Sequence, residues 1–90
     1  MSTESELDKN FYDRADAHIQ LSNDQIKDIG RGKVSASMMY ATSRLNAWVS
    51  ACGHESAEQM ADARDETIEY YVKQYRAMLE ENMDNYIAHF

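Results

Sequence analysis

Ninety residues carry sixteen acids against nine bases, a formal net charge of −7, with 43% hydrophobic content, no proline, three glycines and one cysteine. That length makes one domain with one modest core, residues 1–90, and the hydrophobic share is that of a globular chain. The acidic excess disfavours nucleic acid and anionic membranes, which are bound through positive charge, and the lone cysteine excludes an internal disulfide and fits the cytoplasm.

Residues 1–6 are expected to be flexible, and they lack the basic and apolar stretches of a secretory leader. No apolar run approaches the ~18–20 residues of a membrane span. Without proline, and without alternating β-branched runs, the chain reads as three helical segments at about 100° per residue.

The first segment is expected from about Leu7 to Ile29. Phe11, Ala15, Ile19, Ser22, Ile26 and Ile29 share one face, with Tyr12 and His18 at its margins. Asp13, Asp16, Gln20, Asn23, Asp24 and Lys27 lie opposite. Thr3 with Glu6, and Ser5 with Asp8, offer two competing capping signals at its start. Gly30 can take the left-handed conformation that ends a helix.

Gly30-Arg31-Gly32-Lys33 reads as a connector, with Ser35 as the N-cap of the second segment and Val34 and Met39 as a hydrophobic staple. That segment runs to Cys52, where Gly53 stops it. Its main stripe is Met38, Ala41, Leu45, Trp48, Val49 and Cys52. Arg44 is the only charge between Val34 and Gly53. The back face, Ala36, Tyr40, Ser43, Ala47 and Ser50, steps by four and three residues, a heptad seam of mostly small side chains. A solvated face is ordinarily rich in Lys and Glu, so this second stripe is expected to pack against another chain, most simply a two-fold mate. The competing explanations are that Ala and Ser fill an exposed helix face at low cost, or that the third segment folds back over it.

Ser56 with Gln59 is a capping box opening the third segment, and Glu58, Asp62, Asp65 and Glu66 crowd its first turns, where the helix dipole favours acids. Met60, Thr67, Ile68, Tyr71, Val72, Tyr75, Met78, Leu79 and Met83 form its apolar face, and Asp84-Asn85 is a candidate break. At 1.5 Å per residue, residues 57–83 span about 40 Å and residues 36–51 about 24 Å. The last turns therefore overhang, and Tyr86, Ile87 and Phe90 form a second candidate interface. Short connectors imply antiparallel neighbours. The expected fold is all-α, an up-down-up three-helix bundle with a long third helix.

Chemistry-bearing clusters are few. Asp13, Asp16 and His18 fail as a metal set because the two acids point well away from the imidazole around the helix, and no Glu-x-x-His or His-x-x-x-His pair exists. His18 reads instead as a hydrogen-bonded residue at the core edge. Arg31 and Lys33 precede a helix start, where backbone N–H groups can hold an anion, although Walker A spacing is absent. Arg64 falls inside the apolar sector of the third segment; snorkelling outward, stacking on Tyr12 or Trp48, and anchoring an anion are all open to it. Cys52 lies on the expected core stripe, where a thiol is inert. Tyr70 falls on the polar face. No nucleophile–base pair can be placed by spacing, so neither an enzyme nor a bound cofactor or metal is expected. The expected role is a homodimeric interaction or scaffold module with a further, unidentified protein partner. The alternative is an anionic-ligand-binding regulator using Arg31, Lys33, Arg64 and His18.

Phe11-Tyr12-Asp13-Arg14-Ala15-Asp16-Ala17-His18-Ile19, then Asn23-Asp24-Gln25, then Gly30 through Ser37, resemble a family of small proteobacterial proteins filed as a domain of unknown function. The Arg44-Leu45-Asn46-Ala47 and Tyr75-Arg76 blocks are similar as well. The resemblance implies a small, soluble, helical bacterial protein and assigns no functional residue.

Overall fold

The computed structural model describes residues 9–90. They form three α-helices and no strand: α1 (Phe11–Ile29), α2 (Arg31–Cys52) and α3 (Ala57–Ala88). The arrangement is all-α, with a third helix of 32 residues, about 48 Å at 1.5 Å per residue. The expected capping residues Thr3, Ser5, Glu6 and Asp8, the start at Leu7 and the flexible stretch 1–6 lie outside the described residues. The chain divides into two units, Met1–Leu45 and Asn46–Phe90, with the boundary inside α2.

In the first unit, α1 follows a turn at Lys9 and Asn10, and Asn10 caps it through its carbonyl, which accepts from the Arg14 N–H at 3.0 Å. Gly30 then reverses the chain alone. Its N–H donates to the Ile26 carbonyl at 3.0 Å, and its own carbonyl accepts from the Val34 N–H at 3.3 Å. One residue thus closes α1 and opens α2. The expected four-residue connector is corrected: Arg31, Gly32 and Lys33 form the first turn of α2, Ser35 caps nothing, and Val34 lies inside the helix. The physical reason is the Gly30 backbone, at φ 105 and ψ 153, a region essentially restricted to glycine that turns the chain in one step.

The hairpin is symmetric about that glycine. Ser22, eight residues before it, donates its hydroxyl to the Met38 Sδ, eight residues after it, at 3.1 Å. Ala15, Ser22, Ile26 and Met38 are half-buried. Val34, 3% exposed, is the one buried side chain among the described residues. Leu45, Phe11, Ile19 and Ile29 stay exposed, because one antiparallel neighbour covers a single line along a helix and leaves its flanks open.

In the second unit, Gly53 follows the end of α2 without a left-handed backbone. Its N–H and the His54 ring both donate to the Ser50 carbonyl, at 3.0 Å and 2.7 Å. Ser56, in an extended conformation, opens α3 as expected: its hydroxyl accepts from the Gln59 N–H at 3.2 Å. The Gln59 side chain reaches back to the Glu55 N–H at 2.9 Å, one residue earlier than a standard capping box. Ser56→Ala is expected to cost about 1 kcal/mol, the usual value of an N-cap. Urea unfolding followed by circular dichroism checks this, and an unchanged midpoint and slope would remove the cap from the account.

The expected break at Asp84-Asn85 is also corrected, since α3 continues to Ala88. Asp and Asn lower helix propensity by only tenths of a kcal/mol, whereas stopping a helix takes glycine or proline, and neither residue occurs after Gly53. The His89 ring closes the helix by donating to the Asn85 carbonyl at 2.7 Å.

Candidate interaction surface

The expected main stripe of α2 is not the covered one. Of its members only Met38 is half-buried, while Leu45, Trp48 and Val49 are 54%, 63% and 49% exposed, and Ala41 and Cys52 are exposed as well. The covered positions are Val34 and Met38 in the first unit and Asn46 and Ser50 in the second. Each four-residue step moves the line about 40° around the helix, so it departs from any fixed stripe. Cys52 is therefore an exposed thiol rather than a core one.

Of the expected seam, Ala36, Tyr40, Ser43 and Ala47 are exposed and Ser50 is half-buried. Three of the six α2 hydroxyls are already bonded to their own helix. Ser43 donates to the Tyr40 carbonyl at 2.8 Å, Thr42 to the Met38 carbonyl at 2.9 Å, and Ser37 to the Val34 carbonyl at 3.0 Å. A hydroxyl bonded to its own helix loses little when water is withdrawn. With Arg44 as the only charge between Val34 and Gly53, α2 can be covered by another surface at low desolvation cost.

On α3 the expected apolar face separates into two lines. Met60, Ala63, Thr67 and Tyr71 are half-buried. Ile68, Val72, Tyr75, Leu79 and Met83 are exposed, as are Tyr86, Ile87 and Phe90 at its end. Tyr70 is exposed, as its polar-face position implies, and meets Tyr71 edge-on at 5.3 Å. The covered position of Ala63 and the helix-closing roles of His54 and His89 were not read from the sequence. The signal available for the histidines was their place just past the last periodic residue of a helix, where a side-chain donor can meet the final carbonyls.

The candidate anion residues are scattered. Arg31 and Lys33 share the first turn of α2, which holds no acid, but residues two apart do not face one another on a helix. Arg64 snorkels outward and pairs with Asp65 at 2.6 Å. His18 is exposed, which corrects the core-edge expectation. Among the described residues no hydrogen bond or ion pair joins any two of these four. Nor, among the described residues, does any group of three or more His, Cys, Asp or Glu side chains converge to hold a metal, and no helix there is long and apolar enough to cross a membrane.

A family model described as "Protein of unknown function (DUF3144)" matches residues 11–87. The match opens on the first residue of α1 and closes one residue short of the end of α3. No curated protein and no solved structure matches the chain.

Proposed function

The chain belongs to the DUF3144 family, and we propose that it works not as an enzyme but as a homodimeric protein–protein interaction module. One observation carries this reading: among the described residues only Val34 is buried, while α2 and α3 each carry a long run of exposed apolar side chains. Contiguous apolar surface of this extent marks an interaction site in a folded protein. Ala36, Tyr40, Ser43, Ala47 and Ser50 on α2, with Tyr86, Ile87 and Phe90 at the end of α3, are the interface residues of this proposal. Two separate tracts also suit a scaffold, one taken by a second copy and one by a different protein. A cytoplasmic location belongs to the same reading, because an exposed free thiol such as Cys52 persists in a reducing compartment.

Sedimentation equilibrium tests the proposal. The expected mass at tens to hundreds of micromolar is twice 10.4 kDa; a clean monomer across that range rejects it. Ala47→Glu places a charge on the exposed α2 seam. Where that seam takes the second copy, association weakens at least tenfold while the helical signal stays unchanged; an unaltered mass takes the seam out of the dimer interface and leaves it to the different protein.

A further inference from the structure

The exposed line on α3 has a spacing that selects its partner. Val72, Tyr75, Leu79, Met83 and Tyr86 follow one another by three, four, four and three residues, which reads the same in both directions about Leu79. Four residues further out lie Ile68 on one side and, just past the helix end, Phe90 on the other. All seven are between 42% and 110% exposed. From Ile68 to Leu79 and from Leu79 to Phe90 the step is eleven residues. An eleven-residue repeat, at about 3.67 residues per turn, keeps a stripe nearly straight along a helix.

Charge is divided at the same residue. Residues 68–78 contain Lys73 and Arg76 against the single acid Glu69, a formal +1. Residues 80–88 contain Glu80, Glu81 and Asp84 and no Lys or Arg, a formal −3. A parallel mate sets each half against its own sign. An antiparallel mate sets +1 against −3 at both ends, and opposed helix dipoles act in the same sense.

Building on the self-association reading, we infer that residues 68–90 form the homodimer interface, paired antiparallel with the same residues of a second copy about a two-fold axis at Leu79. Leu79 meets its own copy, Tyr75 meets Met83, Val72 meets Tyr86, and Ile68 meets Phe90. This is the self-complementary patch that two-fold symmetry demands. Arg76, 3.9 Å from its own Glu80, comes alongside Glu80 of the second copy. At the ~150–250 Å² that a large side chain presents, the exposed line offers roughly 900 Å² per copy, against the ~800 Å² per partner of a standard stable interface.

Cysteine cross-linking in a Cys52→Ser background tests the pairing. Under mild oxidation Leu79→Cys is expected to form a covalent dimer. Tyr86→Cys alone is expected to form none, but to cross-link when mixed with Val72→Cys chains. Leu79→Glu is expected to weaken the dimer at least tenfold in sedimentation with the helical signal retained, because Leu79 is exposed within its own chain. A Tyr86→Cys homodimer with no mixed product overturns the antiparallel register. A dimer indifferent to Leu79→Glu that yields no Leu79→Cys bridge overturns the α3 interface while leaving self-association standing. A monomer at every concentration removes both.

Discussion

Val34→Asp is expected to destabilise the protein by about 3–5 kcal/mol, the range seen for a buried charge left without a partner. Val34 is 3% exposed, and the half-buried residues on the facing lines of the hairpin, Ser22, Ile26 and Met38, offer no cation. Lys33, one residue back, is directed elsewhere on the helix; Arg31, three residues back and exposed, offers at most an i,i+3 pair of about 0.2–0.5 kcal/mol. The position is near the start of α2, where the helix dipole favours an acid by about 0.3–1 kcal/mol. That gain is several times smaller than the burial cost, so the loss dominates. Against a typical total of about 5–15 kcal/mol, the hairpin of α1 and α2 loses much of its stability. Val34→Ala removes two methyl groups without burying charge and is expected to cost about 1–3 kcal/mol. Leu45→Asp, at a side chain 54% exposed, provides the control. Urea unfolding of the three variants is expected to rank Val34→Asp last in stability. Equal midpoints for Val34→Asp and Leu45→Asp would show that Val34 anchors nothing.

The number of helices, the stop at Gly30 and the start at Ser56 were legible because each rests on local chemistry. A glycine between two periodic segments and a serine three residues before a glutamine mean the same thing in most surroundings. The resemblance carried by Phe11–Ile19 and Gly30–Ser37 likewise agrees with the family match over residues 11–87. What misled was also local. Arg31, Gly32 and Lys33 look like a loop because glycine is a poor helix former, but a one-residue reversal at Gly30 left them in the helix at a cost of about 1 kcal/mol for Gly32.

The faces were harder to read, for a different reason. Hydropathy marks which side chains gain from burial, not what covers them. Met60, Thr67 and Tyr71 share an apolar sector in the sequence with Val72, Tyr75 and Leu79, yet the first three are half-buried and the last three exposed. Trp48 and Leu45 on α2 make the same point. A periodic pattern wide enough for two neighbours does not say which neighbour belongs to another molecule. The division of charge at Leu79 was present in the sequence throughout, but it acquires meaning only beside a stripe known to be exposed.

Gly30→Ala is expected to cost about 1–3 kcal/mol, and the cost is conformational rather than steric. A Cβ added at Gly30 meets nothing within 4 Å, so crowding contributes no part of it. The backbone sits at φ 105 and ψ 153, outside the left-handed helical well near φ +57 and ψ +47 that asparagine tolerates. Gly30→Asn is therefore expected to fall with Gly30→Ala rather than to rescue it, which separates this reversal from an ordinary left-handed helix cap. Gly32 supplies the internal contrast. It is helical, has no positive φ, and a Cβ there also meets nothing within 4 Å. Gly32→Ala is expected to stabilise by about 0.5–1 kcal/mol, because alanine loses less freedom on entering a helix. Thermal or urea unfolding then gives opposite signs for the same chemical change two residues apart. A Gly30→Ala protein as stable as the parent would mean that the reversal tolerates a side chain and that Gly30 does not set the hairpin between α1 and α2.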